Sequence, residues 1–155
     1  METIKIGIVD DHKLVSKALE NLISFNVNFR VTMNCFNGQD FMDQLRTTTD
    51  HPDVVLMDIN MPIKNGIEAT QEVSKEFPNI KVIALTMEDN ETTIIRMLKA
   101  GAKGYLLKDM SPDILFDAID IVNKQGTFYT DLLTQSLLKI KTEEKLVQNL
   151  NDSFK

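Results

Sequence analysis

The chain has 155 residues, a formal net charge of −6 and one cysteine. This length suits one domain with a sizeable core and a short extension. The negative charge argues against unaided binding to a nucleic-acid backbone, and a lone cysteine excludes an internal disulfide. The N-terminus lacks the basic and apolar regions of a signal peptide, and no apolar run approaches the roughly 18 residues that span a bilayer. We therefore expect a cytoplasmic protein without a membrane segment.

Short apolar runs alternate with stretches of helical periodicity through the first 126 residues. The apolar runs predict five strands, which cover residues 4–9, 30–36, 54–57, 80–85 and 104–107. A helix is predicted after each strand, and the last one has Ser111 at its N-cap and Pro112 at its first position. This alternation predicts parallel βαβ units with right-handed crossovers and helices on both faces of one sheet.

The remaining residues, 127–155, fall outside this unit. Leucines at helical spacing predict a further amphipathic helix up to about residue 140, and residues 141–155 are strongly polar and charged. We expect a domain boundary near residue 126, followed by a helix or linker over 127–155.

Polar residues directly follow four of the five predicted strands. Asp10 and Asp11 follow the first strand, Asp58 the third, Thr86 the fourth and Lys108 the fifth. The carboxyl ends of parallel strands share one edge of the sheet, where open α/β sheets carry their chemistry. The topology therefore predicts that three carboxylates, one hydroxyl and one ammonium converge at this edge.

The predicted cluster favours metal-assisted phosphoryl chemistry. Three neighbouring carboxylates repel one another and require a cation. Mg²⁺ prefers oxygen ligands and is commonly held by one or two carboxylates together with phosphate oxygens. A carboxylate can attack phosphorus to form an acyl phosphate, a transfer that needs mainly charge neutralisation and in-line positioning. Asp58 is the candidate nucleophile.

Each of these residues has a simpler explanation when it is taken alone. Asp10 and Asp11 are typical caps of a helix, Thr86 is typical of a turn, and Lys108 is typical of a solvated surface. His12 is interpreted as an exposed residue of the first helical turn. The simpler explanation requires four coincidences at one edge of the sheet, so we prefer the functional interpretation of the group.

With these residues the chain resembles the response regulator receiver domains of bacterial two-component signalling. The resemblance spans roughly residues 4 to 124, and Asp-Asp-His and Gly-Tyr-Leu-Leu-Lys-Asp further resemble the LuxR/FixJ (NarL-like) branch. It implies a flavodoxin-like, doubly wound five-stranded sheet with strand order 2-1-3-4-5. The matching segments are Ile-Val-Asp10-Asp11-His12, Val-Val-Leu-Met-Asp58-Ile-Asn-Met-Pro62, Gly66, Ile-Ala-Leu-Thr86 and Lys-Ala-Gly101-Ala-Lys-Gly104-Tyr105-Leu-Leu-Lys108.

The resemblance implies a phosphoacceptor and a Mg²⁺ site. Asp58 would accept the phosphoryl group. Asp11 and Asp58 would bind Mg²⁺ directly, the backbone carbonyl of Asn60 would be a third protein ligand, and Asp10 would act through water.

The resemblance also implies a switch. Thr86 and Lys108 would contact the phosphoryl group, and Tyr105 would change rotamer as Thr86 moves. We expect the surface over residues 90–123 to respond.

By the same resemblance, the chain is a signalling domain whose only catalysis is its own phosphotransfer and dephosphorylation. A sensor histidine kinase would donate the phosphoryl group. The output would be transcription, through a C-terminal helix-turn-helix DNA-binding domain that this chain lacks, so we expect no specific DNA binding by the chain itself. A homodimer on phosphorylation is plausible for the family. The alternative is a stand-alone receiver that acts by phosphorelay or protein docking.

Two other α/β classes are disfavoured. Haloacid-dehalogenase-type phosphatases need a second aspartate two residues after the nucleophile, where this chain has Asn60. A flavin-binding module needs a phosphate-cradling loop after the first strand, where Asp10 and Asp11 would repel a phosphate.

Overall fold

The structure is a computed structural model and describes residues 3–87 and 90–128. From residue 129 onward, the helix or linker predicted over 127–155 lies outside the described residues. Strands and helices alternate along the described chain. The strands are β1 (Ile4–Val9), β2 (Phe29–Cys35), β3 (Val54–Asp58), β4 (Lys81–Thr86) and β5 (Gly104–Leu107). The helices are α1 (Lys13–Ser24), α2 (Gly38–Thr47), α3 (Gly66–Glu76), α4 (Glu91–Ala100) and α5 (Pro112–Gln125).

The five strands form one parallel sheet in the order β2-β1-β3-β4-β5. This order confirms the predicted doubly wound arrangement. It places the end of β3 at the centre of the sheet, with β1 on one side and β4 on the other. Whatever follows these three strands is therefore held on a rigid central platform.

Apolar side chains from alternate strand positions form two separate core layers. Along β3, Val54 and Leu56 pack in one layer, and Val55 and Met57 pack in the other. The first layer is covered by α1 and α5, and the second by α2, α3 and α4. Burial on both faces explains why the strands are almost continuously apolar in sequence.

Three strands differ from the predictions by one residue at one or both ends. β2 covers Phe29–Cys35, β3 includes Asp58, and β4 covers Lys81–Thr86. The backbone N–H of Ile80 donates to the carbonyl of Phe77 at 3.0 Å, so Ile80 belongs to the turn that follows α3. Local turn bonds, which apolar patterning does not reveal, set this boundary.

The described chain ends beside β5. Phe128 forms a parallel bridge with Gly104, and its backbone N–H donates to the carbonyl of Lys103 at 2.9 Å. The Phe128 side chain packs against the core layer under α1 and α5. Among the described residues, no helix is long and apolar enough to cross a membrane.

Candidate functional site

The carboxyl ends of β1, β3, β4 and β5 carry the polar residues singled out in the sequence. Asp10 directly follows β1, Asp58 is the last residue of β3, and Thr86 is the last residue of β4. Lys108 directly follows β5, and its backbone N–H donates to the carbonyl of Thr86 at 2.8 Å. Asp10, Asp58 and Thr86 are all buried. Buried carboxylates require partners, and the site is built around them.

Lys108 bridges two of these carboxylates. Its Nζ lies 2.9 Å from Oδ2 of Asp10 and 3.1 Å from Oδ1 of Asp58. The Lys108 side chain is only 7% exposed, so little water screens these contacts. The backbone N–H of Ile59 donates a second hydrogen bond to Oδ1 of Asp58 at 2.9 Å. One oxygen of the Asp58 carboxylate is thus fully engaged.

The other oxygen of Asp58 is buried and has no hydrogen-bond donor among the described residues. Oδ1 of Asp11, on the next residue after Asp10, is in the same condition. Buried carboxylate oxygens without partners are rare in folded proteins, and they mark places where an ion or ligand is bound. Asp58 and Asp11 thus each have one buried oxygen that no hydrogen bond from the described residues satisfies.

The surroundings raise the pKa of both central groups of the cluster, which favours the neutral form of Asp58 and the charged form of Lys108. Burial raises the pKa of the Asp58 carboxyl from 3.8 to about 6; the charge on Asp10 adds to the rise, and Lys108 opposes it. Burial alone would lower the pKa of the Lys108 ammonium, but its hydrogen bonds and charge contacts with Asp10 and Asp58 raise that pKa above its ordinary value. Lys108 thus stays charged, whereas the ionised form of Asp58, the candidate nucleophile, is disfavoured.

His12 lies closer to this cluster than the sequence suggested. Its side chain is exposed, as predicted, but Nδ1 lies 3.3 Å from Oδ1 of Asp10 and 3.3 Å from Oδ1 of Asp11. The same nitrogen lies 4.0 Å from Oδ2 of Asp58. The backbone N–H of His12 donates to Oδ1 of Asp10 at 2.8 Å, which fixes the start of α1 next to the carboxylates. The spacing of two residues from Asp10 was the only signal in the sequence.

The donor set fits a divalent cation. Asp10, Asp11, His12 and Asp58 each offer one ligand atom, and these atoms all lie within 4.8 Å of one another. Three of the four donors are carboxylate oxygens, the ligand type that Mg²⁺ prefers. Asp11 and Asp58, with their available oxygens, are the residues that would hold the ion.

The loop after β3 is held by close backbone packing. The N–H of Gly66 donates to the carbonyl of Ile59 at 2.8 Å, and a Cβ on Gly66 would lie 2.1 Å from the carbonyl oxygen of Asp58. Only glycine fits there. The Asn65 side chain and Glu68 form a capping box that begins α3. Asn60 lies exposed within this loop, where the resemblance expects its carbonyl to be a metal ligand.

Ile63, at the tip of this loop, has a strained backbone. Its φ is 69°, in the left-handed region that β-branched residues avoid. The N–H of Lys64 donates to the carbonyl of Pro62 at 2.7 Å, so Ile63 is the central residue of a γ-turn. The Ile63 side chain is 81% exposed and therefore gains little from packing.

Replacing Ile63 with glycine should raise the free energy of unfolding by about 0.5–1 kcal/mol, because relief of the strain exceeds the extra chain entropy of glycine. Urea unfolding measures the change. Ile114→Gly is the matched control: Ile114 is another exposed isoleucine but lies in α5, where glycine should destabilise by about 1 kcal/mol. Destabilisation by both variants would contradict the strain argument.

Tyr105 lies in β5 opposite Ala84 of β4, with its side chain buried in the core layer under α2, α3 and α4. Thr86 pairs with Leu107 of β5, so Tyr105 lies two residues before the position opposite Thr86. The structure brings Asp10, Asp11, Asp58 and Lys108 into one cluster and places Thr86 at the same end of the sheet. The roles of Thr86 and Tyr105 in a switch stay predictions.

Comparisons with known proteins agree with this geometry. Residues 6–120 match the family model of the response regulator receiver domain. The chain is 36% identical over 136 residues to the transcriptional regulatory protein DegU of Brevibacillus brevis, a match that covers 88% of this chain and 57% of the relative. The chain thus spans a little over half the length of that relative.

Solved structures give the same result. A LuxR-family response regulator from Aurantimonas sp. SI85-9A1 matches with a TM-score of 0.79 and 27% identity, covering 91% of this chain and 99% of the other. A BeF₃-activated DrrB receiver domain matches with a TM-score of 0.66 and 26% identity, covering 76% and 95% of the two chains. The chain belongs to the response regulator receiver domain family, in the branch of LuxR-family regulators.

Proposed function

We propose that Asp58 accepts a phosphoryl group from the phosphohistidine of a sensor histidine kinase. A carboxylate oxygen of Asp58 attacks phosphorus, the P–N bond breaks as the P–O bond forms, and the histidine nitrogen leaves with the electron pair. One observation carries this proposal. The two oxygens of the Asp58 carboxylate have different surroundings. Oδ1 contacts Lys108 and accepts the Ile59 N–H, whereas Oδ2 is buried without a hydrogen-bond donor among the described residues.

The residues around Asp58 supply what the transfer needs. A bound Mg²⁺, held by Asp11, Asp58 and the carbonyl of Asn60, with Asp10 acting through water, would neutralise charge on the incoming phosphoryl group. Oδ1 of Asp58 is fixed by two donors, so the carboxylate is oriented before the donor arrives. Lys108 is already charged at the site and can exchange a carboxylate contact for a phosphoryl oxygen.

The acyl phosphate then changes the conformation of the sheet edge. Phosphorylation adds a dianionic group beside existing carboxylates, and closure of Thr86 and Lys108 on this group relieves the repulsion. The backbone N–H of Lys108 donates to the Thr86 carbonyl at 2.8 Å, so a movement of one residue would be coupled to a movement of the other. Tyr105 follows by a rotamer change, and the surface over residues 90–123 responds. A few kcal/mol of differential stabilisation suffices for such a population shift.

The output that fits this chain is control of transcription through a DNA-binding domain. The support is the relative from Brevibacillus brevis, a transcriptional regulatory protein of which this chain covers only 57%. The chain itself, with a net charge of −6, would not bind specific DNA. Phosphorylation would favour a homodimer. The chain would catalyse only its own phosphorylation and dephosphorylation at Asp58.

The test is phosphoryl uptake by purified protein with Mg²⁺ and a small phosphoramidate donor. Intact-mass spectrometry should show one added phosphoryl group that is lost in hydroxylamine, as expected for an acyl phosphate. Asp58→Asn should abolish uptake. Asp109→Asn is the matched control, because Asp109 is an exposed carboxylate next to Lys108 and should not affect uptake.

Beryllofluoride binding followed by ¹⁹F NMR gives a second measurement that needs no donor. Wild type should bind beryllofluoride with Mg²⁺, and Asp58→Asn should not. Uptake that survives Asp58→Asn, or a wild-type chain that takes up neither phosphoryl nor beryllofluoride, would reject the proposal.

A further inference from the structure

The imidazole of His12 occupies an unusual position in the acidic cluster. His12 is the N-cap residue of α1, but its side chain makes no capping hydrogen bond. Nδ1 instead lies at the same distance, 3.3 Å, from Oδ1 of Asp10 and from Oδ1 of Asp11. Oδ1 of Asp10 also accepts the backbone N–H of His12 at 2.8 Å, a shorter contact than the one it makes with Nδ1.

Lys108 and His12 lie next to different oxygens of the same two buried carboxylates, Asp10 and Asp58. Lys108 contacts Oδ2 of Asp10 and Oδ1 of Asp58, while Nδ1 of His12 faces Oδ1 of Asp10 and Oδ2 of Asp58. The ammonium therefore neutralises one side of the carboxylate pair. The side facing His12 retains buried oxygens of Asp11 and Asp58 that accept no hydrogen bond from the described residues.

The spacing of these donors matches ligands of one ion. In an octahedral site with bonds of about 2.1 Å, neighbouring ligand atoms lie about 3.0 Å apart and opposite ones about 4.2 Å apart. Nδ1 of His12 lies 3.3 Å from Oδ1 of Asp11 and 4.0 Å from Oδ2 of Asp58, within this range. An imidazole nitrogen and two carboxylate oxygens thus surround the place where the cation would bind.

We propose that Nδ1 of His12 is a ligand in this site together with Asp11 and Asp58, so that the site binds first-row divalent transition ions in preference to Mg²⁺. This inference rests on the proposed function, because it concerns the same metal site. Imidazole adds strongly to the binding of Co²⁺, Ni²⁺ and Zn²⁺ and little to that of Mg²⁺, which takes oxygen ligands. A purely carboxylate site at the same place would show a smaller preference for these ions over Mg²⁺.

The test is direct metal binding to the whole chain without a polyhistidine tag. Titrations with Co²⁺ and with Mg²⁺ should be followed by calorimetry near pH 8. His12→Asn should weaken Co²⁺ binding by about 10-fold or more and change Mg²⁺ binding by less than about 3-fold. Asparagine is a good N-cap residue, so this variant preserves the start of α1.

The second histidine of the chain is the matched control. His51 precedes the amino end of β3, whereas Asp58 is at the carboxyl end of that strand, and Nε2 of His51 lies 2.9 Å from the carbonyls of Leu45 and Thr48. His51→Gln should leave both affinities unchanged. In ¹⁵N spectra with Zn²⁺, the Nδ1 resonance of His12 should shift and the ring resonances of His51 should not.

Equal effects of His12→Asn on Co²⁺ and Mg²⁺ binding, or no effect on either, would overturn the proposal. An unshifted His12 resonance in the presence of bound Zn²⁺ would do the same. These results are separate from failure of the proposed function, which would appear as absent phosphoryl and beryllofluoride uptake whatever the ratio of metal affinities.

Discussion

Replacing Lys108 with methionine is expected to lower the free energy of unfolding of the metal-free chain by about 3 kcal/mol at pH 7. The Lys108 ammonium lies 2.9 Å from Asp10 and 3.1 Å from Asp58, and all three side chains are at most 7% exposed. Methionine keeps the aliphatic bulk but leaves two carboxylates without their cation. The effect falls at the low end of the range for broken buried pairs, because one carboxyl can take up a proton.

Urea unfolding in the presence of a chelator measures this change. Lys124→Met is the control, since Lys124 pairs with Asp120 at 3.6 Å on the exposed surface of α5, where such pairs contribute less than about 0.5 kcal/mol. A loss below about 1 kcal/mol for Lys108→Met would show that the lysine does not stabilise the cluster. Added Mg²⁺ should restore part of the loss by supplying the missing positive charge.

Asp58→Asn is expected to act in the opposite direction on stability, raising the free energy of unfolding of the metal-free chain by about 1–3 kcal/mol at pH 7. Burial and Asp10 raise the pKa of Asp58 in the folded chain to about 6, above its ordinary value of 3.8. The folded state therefore holds this proton more tightly than the unfolded state does. The stability contributed by Asp58 is fully present below pH 3.8 and is lost as the pH rises through about 6.

The pH dependence separates this mechanism from a change in packing. The difference in unfolding free energy between Asp58→Asn and wild type should be small near pH 4, grow up to about pH 6 and then stay constant. Unfolding in urea at several pH values, with chelator present, measures it. A difference that does not vary with pH would point to packing instead. Saturating Mg²⁺ should reduce the difference, since the ion binds the ionised carboxylate.

The alternation of strands and helices and the meeting of Asp10, Asp11, Asp58 and Lys108 could be predicted from where the apolar runs end and from the rule that parallel strands finish at one edge. The strand order could be predicted only from the resemblance to receiver domains. The position of the His12 ring could not be predicted. Its direction depends on the hydrogen bond between its own backbone N–H and Oδ1 of Asp10, a contact that leaves no periodic trace in the sequence.

The loop after β3 shows the same limit of sequence patterns. Isoleucine is among the residues least expected at positive φ, so Ile63 gave no sign of its conformation. Backbone hydrogen bonds outside the turn fix the residues around Ile63. The carbonyl of Lys64 accepts the N–H of Gly38 at 2.9 Å, and the N–H of Gly66 reaches back to Ile59. These hydrogen bonds stabilise the loop enough to outweigh the preference of isoleucine for negative φ.

The bridge between Phe128 and Gly104 connects β5 to the chain that follows α5. Phe128 is fastened to the first residue of β5 and to the carbonyl before it, and Lys108 stands just past the last residue of the same strand. Four residues of extended chain, about 13 Å, separate the two ends. β5 therefore spans the sheet from the acidic cluster at its carboxyl end to the Phe128 contacts at its amino end. The residues that follow α5 are thus joined to the same strand that carries Lys108.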